Sequence, residues 1–310
     1  MVRTPAGSPR AVSYEPGVLF LARSVNTACN DLHLWRISFT YNSAMKIRNL
    51  KNLSLGIVFL YLPFYSGAWG MLGHRVTGEI ASFYLNAKAK AAIRSILGTE
   101  SLAMASNWAD FIKSDPDYSY LNTWHYIDLK AGFTTYASLQ TYLQSDTSTN
   151  AYTKLNFLVA ELKKKNLAPG KKLMYLRLLI HIAEDLHQPM HVRDEQQGGN
   201  QISVMWFNDR SNLHRLWDEQ LPEYQRLSYT EYTTVINHPT PAQLQTWLKQ
   251  PVSQWIYDSY VISSPILAEI TQPEQKLGFR YNFDHVETLN LQLLKGGVHL
   301  AGLLNEIFGK

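Results

Sequence analysis

Two short stretches of this chain repeat one arrangement. His181-x-x-x-Asp185 and His214-x-x-x-Asp218 each set an imidazole four residues ahead of a carboxylate. On a helix that interval puts both side chains on one face, a turn apart. Imidazole nitrogen with carboxylate oxygen suits zinc or another borderline divalent cation. A single such pair is commonly a surface ion pair or a capped core histidine. Two pairs shift the balance, because the first lies in the most apolar stretch of the chain, residues 173–186. Buried imidazole and carboxylate need partners, and a metal supplies them. His191 follows Asp185 by six residues, just past Pro189, so a third ligand can fold back from a loop.

Further donors join the set. Asn107-Trp108-Ala109-Asp110 places an aspartate in a helical pattern, and Trp124-His125-Tyr126-Ile127-Asp128 places a histidine in an extended one. His74 lies five residues after Trp69. If Trp69 began the chain, its amine and carbonyl could chelate a metal together, and an α-amino pKa near ~8 lets the amine lose its proton easily.

Residues 45–68 make that condition reasonable. Lys46, Arg48 and Lys51 form a basic region, 53–65 is mostly apolar, and Ser66-Gly67-Ala68 is a small-residue cleavage site. This is the pattern of a secretory signal peptide starting at Met45. Residues 1–44 then read as a non-native upstream extension. The apolar run is shorter than the ~20 residues of a membrane span and is interrupted by Pro63. Retention of this segment as an anchor would leave Trp69 without a free amine. Cys29 is the only cysteine of the 310 residues, so neither an internal disulfide framework nor a cysteine zinc site can form. Of the 29 Lys and Arg and 25 Asp and Glu, seven basic and two acidic residues precede residue 69. The remainder holds 22 basic and 23 acidic residues, which disfavours a broad basic nucleic-acid surface. A phosphate ligand would need a focused site.

From residue 70 onward the apolar spacing is mainly helical. Helices are expected over 74–85, 87–97, 102–112, 135–144, 151–165, 173–186, 213–219, 230–236, 241–249, 252–270 and 286–308. Pro189 should stop the buried 173–186 helix. Gly198-Gly199-Asn200 reads as a turn, 201–207 as a strand and Asn208-Asp209 as a hairpin corner. The expected fold class is all-α: a single mainly helical domain over 69–310 with a small β-hairpin. Gly296-Gly297, inside the last helix, fits close helix packing.

The residues together resemble a known family. Trp69-Gly-x-x-Gly-His74, Asn107-Trp-Ala-Asp110, Trp124-His-Tyr-Ile-Asp128, His181-Ile-Ala-Glu-Asp185-Leu-His-Gln-Pro-Met-His191, Gly198-Gly-Asn200 and Asn212-Leu-His214-x-x-x-Asp218 resemble the zinc-dependent S1/P1 nuclease family, in the superfamily that also holds zinc phospholipase C. The resemblance implies three zinc ions in one cleft. Asp110, His125, His181 and Asp185 would hold the first. His191, His214 and Asp218 would hold the second. Trp69, His74 and again Asp185 would hold the third. Asp110 would also orient the attacking water, and Lys113 would lie beside the scissile phosphate. Tyr126 would stack on a base and Asp128 would meet a base edge. Asn200 would either support the metal loop or contact phosphate.

The implied activity is hydrolysis of single-stranded DNA and RNA to 5′-nucleotides, with 3′-nucleotidase activity. The protein would be secreted or periplasmic, with no stable protein partner and no membrane after cleavage. A phospholipase C-like activity on lipid head groups is the alternative, and a non-catalytic zinc-storing protein is a third class. The sequence departs from the fungal members in lacking their disulfides, in carrying Tyr126 for their phenylalanine, and in carrying His299 where arginine is common. His187, His238, His285 and His299 are assigned no role. Trp108 and Trp124 read as packing beside the site.

Overall fold

Asn86, Ser101, Thr135, Asn150, Ser228 and Thr240 each accept a backbone N–H from the first turn of the helix that follows, and these caps punctuate the chain. The computed structural model describes residues 69–310. The expected extension, the signal peptide and Cys29 lie outside the described residues. The elements run α1 (Met71–Tyr84), α2 (Ala87–Leu97), α3 (Leu102–Ala105), α4 (Trp108–Ile112), a 3-10 helix (Pro116–Trp124), α5 (Tyr136–Ser145), α6 (Ala151–Leu162) and α7 (Pro169–Asp185). They continue with a 3-10 turn (Pro189–Val192), β1 (Ser203–Trp206), β2 (Asp209–Asn212), α8 (Leu213–Arg215), a π turn (Leu216–Gln220), α9 (Leu221–Tyr224), α10 (Tyr229–Ile236), α11 (Pro241–Trp247), α12 (Val252–Glu269), β3 (Gln275–Leu277) and α13 (Phe279–Phe308).

The mainly helical architecture is the expected one. α7 is the central helix. Nearly every residue from Tyr175 to Asp185 is buried, and α1, α2, α3, α4, α6 and α13 all pack against it. A helix apolar on all sides must lie inside the molecule. The core has two parts. One surrounds α7 with Leu155, Leu158, Leu176, Leu179, Ile180 and Trp255. The other gathers Trp69, Ile80, Trp217, Leu293 and Val298 between α1, the π turn and α13. Gly297 permits the close approach of α1 and α13. A Cβ added there would stand 2.5 Å from the Ile80 side chain.

Several elements differ from expectation for local reasons. The helix expected over 102–112 is broken at Ser106-Asn107, and the break frees the Ser106 carbonyl for His181. The stretch 116–124, which has no clear apolar period, is nucleated as a 3-10 helix by Pro116 and by Asp115, whose side chain accepts from the Asp117 N–H. α7 stops at Asp185, ahead of Pro189, which opens the next 3-10 turn instead. The helix expected over 213–219 turns from α to π at Leu216. The β1–β2 hairpin pairs Ser203 with Asn212 and Trp206 with Asp209. A third strand escaped the sequence reading: β3 pairs parallel to β1, in the order β2-β1-β3. α13 begins seven residues before the expected 286, in a stretch anchored by the buried Tyr281 and supported by an Arg280–Asp284 ion pair.

Candidate metal centre

The end of α7 delivers His181 and Asp185 to one point. His181 Nδ1 faces the Ser106 carbonyl at 2.6 Å. A carbonyl only accepts, so Nδ1 carries the proton and the Nε2 lone pair is presented. His181 Nε2 lies 2.9 Å from His125 Nδ1 and 3.2 Å from Asp185 Oδ2. His125 Nδ1 is 3.1 Å from the same oxygen. Asp110 Oδ1 stands 3.6 Å from His181 Nε2 and 3.9 Å from His125 Nδ1. Ligands at the ~2.0–2.1 Å bond lengths of tetrahedral zinc sit about 3.3 Å from one another, close to these separations.

The other oxygen of Asp185 faces a second group. Asp185 Oδ1 is 3.6 Å from His74 Nε2, and both atoms are buried without a hydrogen-bond partner. His74 is oriented from behind, by Glu184 Oε2 at 2.6 Å from its Nδ1. Carboxylate behind imidazole is a common support for a metal-ligating histidine. Glu184 is fully buried. Ser106 Oγ lies 2.8 Å from its Oε1, and the Trp69 indole N–H donates to its carbonyl at 3.1 Å.

The third group is built on the 3-10 turn and the hairpin exit. His191 Nδ1 donates to the His125 carbonyl at 2.9 Å, and His214 Nδ1 to the Gly198 carbonyl at 2.7 Å. Both Nε2 atoms therefore turn toward Asp218, at 3.6 and 3.1 Å. Gln188 Nε2 donates to Asp218 Oδ1, while Asp218 Oδ2 and His191 Nε2 keep no hydrogen-bond partner. Gly198 has φ +56°, and a Cβ there would meet the Met190 carbonyl at 2.5 Å. That position requires glycine, and its carbonyl aims His214.

His74/His181/Asp185, Asp110/His125/His181 and His191/His214/Asp218 thus form three groups whose donor atoms converge closely enough to hold metal ions. The electrostatics agree. Burial opposes the Asp110 charge, but His181, Lys113, His125 and His74 outweigh it and hold its carboxyl at about 2. Burial likewise opposes charge on His191, yet Asp185 and Asp218 push it up to about 9. These carboxylates demand a cation, and a metal ion meets that demand as the imidazole gives up its proton. Burial pushes the Glu184 carboxyl well above the usual range, and the neighbouring Asp185 charge adds to it. His74 is held well below its ordinary value by burial and by His181, whose ring stacks on it at 4.0 Å.

The remaining expected residues fall around these groups. Lys113 Nζ is 2.7 Å from Asp110 Oδ1. Tyr126 is half-buried, its carbonyl accepting from the Ala151 N–H. Asp128 is exposed, and burial of its surroundings with the nearby Asp194 raises its carboxyl. Asn200 donates its side-chain amide to the Gln197 carbonyl, within the loop that carries Gly198. Trp69 is buried, with Gly70 N–H donating to the Asp218 carbonyl. His187 and His299 pair in the core at 2.6 Å, against Trp255. His285 pairs with Glu269, and His238 is exposed. The sequence reading missed Glu184, Ser106 and Gln188. Glu184 alone carried a signal: a second acid beside Asp185, inside the most apolar helix.

Fold and site together define a mainly helical protein whose buried imidazoles and carboxylates converge in three metal-type groups around one helix end. Comparison with known proteins agrees. The family model for S1/P1 nuclease matches residues 69–309. Nuclease P1 of Penicillium citrinum is 27% identical over 265 residues, covering 78% of this chain and 98% of that protein. Endonuclease 3 of Arabidopsis thaliana is 26% identical over 264 residues, with 77% and 89% covered. Nuclease S1 of Aspergillus oryzae is 27% identical over 175 residues, with 55% and 60% covered. The chain belongs to the S1/P1 nuclease family. Membership makes it a hydrolase of phosphoric esters, with nucleic acid as its substrate class. Among the described residues no helix is long and apolar enough to cross a membrane.

Proposed function

We propose that the chain is a secreted three-zinc phosphodiesterase that cuts single-stranded DNA and RNA to 5′-nucleotides and removes the phosphate of 3′-nucleotides. One observation carries the reading: Asp185 turns one oxygen to His125 and His181 and the other to His74, so one carboxylate joins two metal groups. Asp110, His125, His181 and Asp185 would hold one ion. His191, His214 and Asp218 would hold another. His74, Asp185 and the amine and carbonyl of Trp69 would hold the third. Bound zinc supplies Lewis acidity and brings the pKa of water toward about 7, which makes attack on phosphorus possible near neutral pH.

The protein's own groups divide the remaining work. Asp110, ionised down to about 2, accepts a hydrogen bond from the attacking water and orients it. Lys113, held beside Asp110, offsets the charge that builds on the phosphoryl oxygens. Tyr126 offers a ring face to an unstacked base, a contact of ~1–3 kcal/mol that tolerates any sequence. Asp128 accepts from a base edge, while Asn200 braces the loop behind His214. Bases in a duplex are already stacked, so the single strand is preferred. Removal of residues 45–68 frees the Trp69 amine, with residues 1–44 upstream of the native start.

The test is to produce the chain with Trp69 as its first residue through a secretion route. Hydrolysis of single-stranded DNA, RNA and 3′-AMP is then measured before chelation, after it, and after zinc return. Loss and zinc-dependent recovery of 5′-nucleotide and nucleoside release supports the reading. Three bound ions with no turnover of any of these substrates overturns it and directs attention to phospholipid head groups.

A further inference from the structure

The antiparallel pair α6–α7 carries the metal groups at one end and a dense run of lysines at the other. Lys163, Lys164, Lys165, Lys171 and Lys172 fall within ten residues at its turn. Glu306 pairs with Lys163 and Glu161 with Lys164. Among the described residues, Lys165, Lys171 and Lys172 have no carboxylate partner. Lys171 sits over the Tyr175 ring at 5.6 Å.

Between the two ends lies a continuous run of rings. Trp124 immediately precedes the donor His125. Tyr120 and Phe157 both meet Trp124 edge-on, with centroids 5.9 and 6.4 Å away. Phe157 meets Tyr175 at 5.7 Å. Tyr120 is 53% and Phe157 39% exposed, while Trp124 and Tyr175, which they contact, are buried. Lys154 lies over both Trp124 and Phe157, at 5.0 and 5.8 Å. On α7, Tyr175 stands six residues and Lys171 ten residues before His181, about 9 and 15 Å along the axis.

Exposed rings interleaved with unpaired ammonium groups are the two components of a surface that binds single strands without reading sequence. A membrane surface would want lysines and apolar groups at one depth. Here Lys154 stands among the rings at the catalytic end, and Lys165, Lys171 and Lys172 continue the line beyond them, which is an extended path and not a single depth.

We infer that Tyr120, Phe157 and Lys154, with Lys165, Lys171 and Lys172, form a track that holds the single-stranded polynucleotide where it leaves the metal centre. The inference rests on the single-strand phosphodiesterase reading and adds a second contact region to it. The track makes the enzyme favour long strands over dinucleotides, and makes that preference salt-sensitive.

The test uses the metal-loaded chain beginning at Trp69 and fluorescence anisotropy with a labelled phosphorothioate thymidine dodecamer and dinucleotide, over a salt series. Expected for the triple variant Lys165→Gln, Lys171→Gln, Lys172→Gln is about tenfold weaker dodecamer binding. Its salt slope should be flatter by about 2, since each phosphate contact on a single strand contributes ~0.7. Phe157→Ala should cost about tenfold on the dodecamer through lost stacking. Dinucleotide binding should keep its wild-type value in both variants. Unchanged dodecamer binding overturns the inference, as does equal loss on both ligands. Loss of binding to phosphatidylserine vesicles with oligonucleotide binding intact also overturns it, in favour of a membrane surface. If the wild-type protein binds the dodecamer along the track but cuts no nucleic acid, the hydrolytic reading fails and the track stands.

Discussion

Removal of the metal ions should expose how much of this fold rests on them. Of the five buried atoms in the three groups that lack a hydrogen-bond partner, His125 Nε2 lies outside the donor–donor contacts, and four face another donor of their group: His74 Nε2, Asp185 Oδ1, His191 Nε2 and Asp218 Oδ2. A buried polar atom left unsatisfied costs about 1–3 kcal/mol, so the four together cost about 4–12 kcal/mol. Mass action reaches a similar figure independently. An ion present at 100 times its Kd stabilises the folded state by about 2.7 kcal/mol, and three ions by about 8 kcal/mol. In a domain of this size each kcal/mol moves the Tm by about 2–4 °C. Chelation should therefore lower the Tm by about 20 °C, and zinc return should restore it. The assay is thermal unfolding followed by circular dichroism, with the chelator dialysed away before the scan. A Tm within ~2 °C of the loaded protein would refute the argument, because the donors would then be satisfied by one another.

Glu184→Gln keeps a hydrogen bond to His74 but loses the carboxylate behind it, and should weaken metal binding or activity by about 10–100-fold, read by competition with a chromogenic chelator. Tyr126→Ala should lower kcat/KM on single-stranded DNA by about tenfold while metal content, measured by mass spectrometry, stays the same. Gly297→Ala drives a methyl into Ile80 and should destabilise by about 1–3 kcal/mol in urea titration. Burial, with the neighbouring His187 and Lys295, holds His299 well below 6.5. Its contribution is present above 6.5 and is lost as pH falls below that value, because the unfolded chain takes up the proton first. His299→Gln should therefore flatten the acid limb of the stability–pH curve, with urea midpoints from pH 7 to 4 as the readout.

The converging His/Asp groups were legible because metal-type donors come from a few residue types at helical or turn spacing. His181 and Asp185 stood out as polar groups in an apolar helix, and that burial is what the structure shows. The supporting carbonyls of Ser106, His125 and Gly198 left no trace in the sequence, since every residue has a carbonyl. The break between α3 and α4 frees the first and the positive φ of Gly198 presents the last, while His125 caps the end of the 3-10 helix. Long helices were readable from their apolar period. The 3-10 helix at Pro116–Trp124 and β3 were not, because nine and three residues are too few for a period to emerge from composition. The hairpin was readable, but its corner falls at Phe207-Asn208, one residue before the expected Asn208-Asp209, because Asp209 pairs with Trp206 as the first residue of β2; β3 joins β1 from about 70 residues away, and only the tertiary fold brings it there.

The central claim is that three His/Asp groups around the end of α7 form one metal centre completed by Trp69. Anomalous diffraction at the zinc edge, from crystals of the chain beginning at Trp69, tests it most directly. Three peaks are expected: one among Asp110, His125, His181 and Asp185, one among His191, His214 and Asp218, and one between Asp185, His74 and the Trp69 amine. Peaks lying elsewhere, or none in crystals grown with zinc, would contradict it.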